Sequence, residues 1–332
     1  MYNIIEGESM KKQAFANIAL FLTALIWGLS FVAQRAGMDY IGPFTFNTVR
    51  SFLGGLSLIP VIFLVKLFRK DSQTKQIKHE QHKMLLKAGL CCGFVLFIAI
   101  SIQQYSMKFV DAGRAGFISA LYIIYVPLIS MFFGQKLEKN VKISVCVAVV
   151  GLYLLCFKGA IGGFSIYDLL ILISAFFYGV HILVVNHFSQ KVDAVRASCI
   201  QFFVVGILSI PLMLLFESPT ISGIIACHVP ILYAGILTCG VAYTLQIFGQ
   251  KFTLPVVASL ILCTESIFAV IGGMLILSET MAPREIVGCV LMIFAVALSQ
   301  IQSKEYRHTK KSNQLSSTST LNSECDSVFA KL

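Results

Sequence analysis

Residues 14–34 read AFANIALFLTALIWGLSFVAQ, twenty-one positions without a charged side chain between Lys12 and Arg35. At about 1.5 Å per residue, a helix of that length crosses a hydrocarbon layer about 30 Å thick. Similar runs recur along the chain. Hydropathy predicts ten spans, at approximately 14–34, 43–65, 84–105, 113–134, 140–157, 166–187, 197–216, 229–249, 254–277 and 285–302. Of the 332 residues, 57% are hydrophobic and 13% charged, against about 45–50% and about 25% in soluble domains. A soluble globule of this composition could not cover its surface with polar groups. The expected fold is therefore an all-α integral membrane protein, and a disordered chain, a secreted disulfide scaffold or an ordinary cytosolic enzyme is excluded. Pro43, Pro255 and Pro283 fall where spans begin and suit a first helical turn. Pro60, Pro127 and Pro211 fall inside spans, where each removes a backbone hydrogen bond and is expected to kink its helix.

Ten spans place both termini on one side. With that side cytoplasmic, twenty of the 26 Lys and Arg residues face inward, and only Arg35, Arg50, Lys108, Arg114, Lys158 and Arg284 lie on the outer side. The positive-inside rule favours this orientation. The net charge of +10 is dispersed among short loops, so nucleic acid is not an expected partner. Eight of the ten cysteines lie in apolar runs and no CxxC pair occurs, so they read as small buried hydrophobes. Glu6 and Glu8 precede the first run, which lacks a small-residue cleavage pattern; the run is expected to be retained as a span. Residues 67–83 read as a solvated basic loop whose His79, Glu80 and His82 do not match the i,i+4 spacing of a metal site. Residues 303–332, rich in Ser, Thr, Asn and Lys, read as a disordered cytoplasmic tail.

The chain also matches itself. At an offset of 151, Ala24 meets Ala175, Gly28 meets Gly179, Phe52 meets Phe203, Gly55 meets Gly206 and Pro60 meets Pro211, with Trp27 on Tyr178. Past the basic loop the offset is 143: Gln103 meets Gln246, Lys108 meets Lys251, Phe109 meets Phe252, Ala115 meets Ala258, Met131 meets Met274 and Cys146 meets Cys289. Each copy has five spans, so the second must enter the membrane inverted. Two inverted five-helix repeats are a common build of secondary transporters, with the substrate site near mid-membrane between them. The divisions are a cytoplasmic N-terminus (1–13), a first repeat (14–157), a second repeat (158–302) and the tail. No GxxxxGK[ST] is present to hold ATP.

These repeats carry a resemblance. Gln103-Gln104-Tyr105, Lys108-Phe109, Ala115-Gly116-Phe117-Ile118, Tyr125-Val126-Pro127-Leu128 and Gly151-Leu152-Tyr153-Leu154-Leu155 resemble the first half of an EamA-type transporter of the drug/metabolite transporter superfamily. Ala24-Leu25-Ile26-Trp27-Gly28 with Phe31 is similar to its first span. The second half adds Gln246, Gly249-Gln250-Lys251-Phe252, Glu265-Ser266, Phe268-Ala269, Ser278-Glu279 and Gly288. The family commonly has Glu-Pro at the Glu265-Ser266 position and Gly-Glu at Ser278-Glu279. The missing proline predicts a less kinked ninth span. The resemblance, over about residues 15–302, implies ten helices and proton-coupled or facilitated movement of amino acids, nucleoside-like compounds or drugs.

The candidate site residues are the polar and aromatic ones inside spans. A charged side chain at mid-bilayer costs about 2.5–3.5 kcal/mol on insertion scales. Glu265, eleven residues into span 9, could bind a proton or a cationic group, and the repeat sets it opposite Tyr122. Glu279 reads as interfacial. Ser174, Tyr178 and His181 share a helical face and coincide under the repeat with Thr23, Trp27 and Ser30, a face that Gln34 extends. Gln103 and Gln246 are paired, and Tyr243 shares a face with Gln246. Arg50, paired with Gln201, could hold a carboxylate, but snorkelling to the headgroups is the favoured reading. Gly89 and Gly93 form a GxxxG expected at a close helix contact.

The function expected is a secondary transporter moving a small metabolite across the cytoplasmic membrane by alternating access. The partners expected are that solute, protons, membrane lipids and a second copy of the chain, with no cofactor or metal. One alternative is a flippase for a lipid-linked sugar, which would need a groove open to the bilayer. An integral membrane enzyme is less favoured, because the spans offer one acid and one histidine on separate helices rather than a catalytic constellation.

Overall fold

The structure, a computed structural model, describes residues 2–68, 75–110, 112–156, 165–277 and 282–301. All regular structure among them is helical. The elements are α1 (Tyr2–Gly37), α2 (Pro43–Phe68), α3 (Lys75–Ser106), α4 (Ala112–Ala120), α5 (Tyr122–Phe132), α6 (Lys139–Cys156), α7 (Ile166–Ser189) and α8 (Ala194–Phe216). They continue as α9 (Ile221–Ala226), α10 (His228–Leu232), a π-helical stretch (Tyr233–Ala242), α11 (Tyr243–Gln250), α12 (Pro255–Leu262), α13 (Glu265–Leu277) and α14 (Pro283–Ser299). Pro43, Pro255 and Pro283 each open a helix, while Pro60, Pro127 and Pro211 lie within α2, α5 and α8.

Among the described residues, eight segments are long and apolar enough to cross a membrane. The other two segments read as spans from the sequence, α6 and α14, have 18 and 17 residues and pack along each other. The surface differs from that of a soluble protein. Phe132 and Leu215 are 87% and 77% exposed, while Asn47, Gln104, Gln201, Gln246 and Gln250 are buried. An apolar exterior, with polar side chains withdrawn among the buried apolar ones, suits a lipid surround.

Two readings are corrected. Lys75–Lys83 is helical and extends α3 instead of belonging to a loop; the Glu80–Lys83 pair at 3.4 Å, one turn apart, supports the extension. The segment around Glu265 is interrupted even without a proline. Between α12 and α13, the Thr264 hydroxyl donates to the Ile261 carbonyl at 2.7 Å and the Ser266 amide turns back to Cys263 at 3.2 Å. Such local side-chain bonds compete with the helical ladder. Ser278, Glu279, the residues 69–74 of the basic loop and the tail lie outside the described residues.

Residues matched by the two offsets make matched contacts. Thr23 Oγ1 donates to the Ala242 carbonyl at 3.1 Å, and Ser174 Oγ donates to the Ala99 carbonyl at 2.9 Å. Gly55 lies against the Phe203 ring and Gly206 against the Phe52 ring, the two rings 6.2 Å apart. Gly28 lies against Phe268 and Ala269, and Gly179 against Tyr125 and Val126. The helix pairings match in the same way: α3 packs on α7 as α1 does on the π stretch and α11, and α3 packs on α8 as α2 does on the π stretch. Leu121 separates α4 from α5 much as Cys263 and Thr264 separate α12 from α13. Gly89 and Gly93 admit α8 closely, at Ile200 and Val204.

The connections before α2 and after α8 are tied by one carboxylate. Glu217, capping the end of α8, accepts from the Phe44 and Thr45 amides at 2.8 Å and from the Thr45 hydroxyl at 2.6 Å. It thereby satisfies the free amides that open α2. A Cβ on Gly42 would sit 2.2 Å from the Glu217 carboxyl carbon. Glu217→Ala is expected to destabilise the protein by about 1–2 kcal/mol, read as a lower melting temperature in detergent; an unchanged melt would show the cap to be idle.

Candidate functional site

The helix interruptions set the site. Tyr122 opens α5 and Glu265 opens α13, and the Tyr122 hydroxyl donates to Glu265 Oε1 at 3.1 Å. Half-helix starts meeting inside a bundle are the places where transporters hold ligands. Glu265 is 4% exposed, and an acidic side chain in the first turn of a helix is favoured by the helix dipole.

Around this pair lies a cavity between the helices. α1 supplies Trp27, Ser30, Phe31 and Gln34, α2 supplies Arg50, and α3 supplies Ile100 and Gln103. Ser119, Tyr122, Tyr178, Phe202, Thr238, Cys239, Tyr243 and Glu265 complete the lining. Lining residues thus come from both halves of the chain, and α6 and α14 contribute none. Trp27 packs on Tyr243 with ring centroids 4.7 Å apart. Gln103 accepts from the Tyr178 hydroxyl at 2.8 Å and donates to Ser119 at 2.7 Å, which fixes its amide.

Eight of the ten candidates therefore line one cavity: Trp27, Ser30, Gln34, Gln103, Tyr122, Tyr178, Tyr243 and Glu265. His181 and Gln246 do not. The His181 ring is held at 3.0 Å by Gln201 Oε1 and meets the Tyr243 ring edge-on, with centroids 5.9 Å apart. Gln246 lies one turn beyond Tyr243 and is fully buried.

Arg50 corrects the sequence reading. It does not snorkel: it is 4% exposed, its Nη1 donates to Gln34 Oε1 at 2.9 Å, and its guanidinium lies 5.4 Å from the centre of the Phe46 ring. Gln34 in turn donates to Ser30, both to its hydroxyl and to its carbonyl. The cavity therefore holds a fixed cation as well as an acid. Ser119, Thr238 and Cys239 were not singled out in the sequence, where a lone small polar residue carries no signal.

A polytopic helical bundle with a two-signed, aromatic-walled interior cavity is the build of a membrane carrier. The sequence profile of the EamA-like transporter family matches residues 14–157 and 165–300. The chain belongs to that family and is a multi-pass membrane protein. It is 30% identical over 301 residues to an "Uncharacterized transporter" of Archaeoglobus fulgidus, with 89% of each chain covered. The "Uncharacterized transporter YoaV" of Bacillus subtilis is 21% identical over 85% of this chain and 95% of its own. The "Uncharacterized inner membrane transporter YedA" of Escherichia coli is 23% identical over 84% and 89%. A solved crystal structure, 18% identical in sequence, shares the fold with a TM-score of 0.66 over 86% of this chain and 96% of that one.

Proposed function

We propose that the chain is a secondary transporter that moves a small amphipathic metabolite across the cytoplasmic membrane by alternating access, with ten spans in two inverted repeats and both termini inside. The observation that carries this reading is a cavity whose lining includes Arg50, Glu265 with Tyr122, and the rings of Trp27, Tyr178 and Tyr243. A zwitterionic, amino-acid-like solute suits it: Arg50 takes a carboxylate by its forked donors, Glu265 takes an ammonium group, and Trp27, Tyr178 and Tyr243 cover the apolar body. Glu265 is also the group at which a proton could replace the solute cation and so couple transport to a gradient. The matched contacts of Thr23 with Ala242 and of Ser174 with Ala99 support the inverted repeat. The charged and hydrogen-bonding groups of the lining, Arg50, Gln34, Gln103 and Glu265 among them, favour a water-soluble solute over a tailed lipid.

The test is uptake by proteoliposomes containing the purified chain, using labelled amino acids, amines and nucleosides with and without an imposed pH gradient. Saturable uptake of a zwitterionic solute is expected, with Arg50→Gln raising the half-saturating concentration about tenfold or more, the loss of one charge-assisted contact. Movement of none of these solutes, together with reorientation of a lipid-linked sugar, would overturn the reading.

A further inference from the structure

The cavity occupies only half of the symmetric interior. Its polar wall includes Ser30, Arg50 and Gln103. The repeat partners of those three residues are His181, Gln201 and Gln246, by the offsets 151 and 143. None of these partners lines the cavity. They lie toward the opposite end of the bundle, where α7 runs to Ser189, α8 begins at Ala194 and α11 ends at Gln250.

That end is closed. Gly249 packs on Ala16 and Leu20. Gln250 donates to the Ile182 carbonyl at 2.8 Å, and Gln190 donates to the Lys251 carbonyl at 2.9 Å. Gln13, Asn17, Thr253 and Gln300 are joined side chain to side chain at 3.0–3.4 Å. Beneath this closure, Gln201 Nε2 and both amide atoms of Gln246 are buried without a hydrogen-bond partner. Ser198, beside them on α8, has an unpartnered hydroxyl, and its repeat partner Asn47 has an unpartnered Oδ1. Buried orphans of this kind are costly. The cost is explained if these groups meet water or solute in another state of the molecule.

We propose that His181, Gln201 and Gln246 are the second face of the transport site, hidden here and exposed to the opposite side of the membrane when the two halves exchange conformations. In that state they take the places that Ser30, Arg50 and Gln103 hold now, and the Gln13–Asn17–Thr253 cluster and the Gln250 bond are broken. The chemistry of the two faces differs. The first offers a guanidinium where the second offers a neutral amide, so a solute carboxylate is held on the first face and released from the second. This assignment rests on the reading of the chain as an alternating-access carrier.

The test uses full-length protein in sealed membrane vesicles of each orientation. Gln103→Cys, Gln201→Cys, Gln246→Cys and the milder Ser198→Cys are exposed to a membrane-impermeant methanethiosulfonate. Mass spectrometry of the peptides separates the new thiols from the native cysteines. Ala258→Cys, in the buried core, sets the background rate. Gln103→Cys is expected to be labelled from one side, and Gln201→Cys and Gln246→Cys from the other, each at least about tenfold above background. Ser198→Cys decides should the glutamine variants not fold. If Gln103→Cys is labelled but the second set is silent from both sides, or is labelled only from the same side, the second face is refuted while the cavity stands. If Gln103→Cys is silent as well, the cavity reading and the inference built on it both fall.

Discussion

Glu265→Gln is expected to cut transport by about tenfold to a hundredfold while the protein remains inserted and folded. The substitution keeps the shape of the side chain, and the amide oxygen can still accept from the Tyr122 hydroxyl now 3.1 Å away. What it removes is the charge. A hydrogen bond or ion pair to a charged group is worth about 1.5–3 kcal/mol, and each 1.4 kcal/mol is about a factor of ten. Stimulation by a pH gradient should vanish altogether, since the amide does not ionise. Glu265→Leu should be no more active, and in addition removes the acceptor of the Tyr122 hydroxyl. Normal transport by both variants at equal expression would show that the carboxyl is structural.

Gly28→Ala is expected to be among the most damaging small substitutions in the bundle. A Cβ there would stand 2.4 Å from the Glu265 carbonyl oxygen, 2.5 Å from Phe268 Cβ and 2.8 Å from the Ala269 amide. Two of these three neighbours are backbone, so no rotamer change relieves the clash and α1 must move off α13. Overpacking of this kind costs about 1–3 kcal/mol or more, and it displaces Glu265 as well as Trp27. Gly116→Ala is the control. Nothing lies within 4 Å of a Cβ at Gly116, and alanine favours a helix by up to about 1 kcal/mol. The melting temperature in detergent should fall for the first and hold or rise for the second. Equal melts would mean that α1 and α13 are not in contact as described.

The membrane class and the helix order could be read from the sequence because lipid demands long apolar runs, and such runs leave little ambiguity. The repeat was readable for a different reason: Gly28, Gly55, Gly179 and Gly206 sit where helices touch, and a glycine at a close contact cannot be exchanged freely. Tyr122 and Glu265 followed from the same alignment. The depth of Arg50 did not. The side chain is long enough to reach the headgroups or to fold inward, and only the placement of Gln34 and Phe46 decides for the interior. The interruptions at Leu121 and at Cys263–Thr264 carry no proline signal at the break. The π stretch was also hidden. Gly93 and Gly235 correspond at an offset of 142, whereas Gln103 and Gln246 correspond at 143; the extra residue is absorbed as π-helix in Tyr233–Ala242, a usual form for such an insertion near a site. His181 and Gln246 shared the right faces, but a helical face does not say which end of it the cavity reaches.

Trp27 is the one tryptophan in the chain, and it lies in the cavity wall with its indole Nε1 unpartnered. Its fluorescence therefore reports on the site without any label. The decisive measurement is the Trp27 emission of the purified protein titrated with the solute that proteoliposomes accumulate. A saturable change is expected, half-complete at the concentration that half-saturates transport and lost in Glu265→Gln. Saturable transport with no change in Trp27 emission would place the solute elsewhere and contradict the cavity as the transport site.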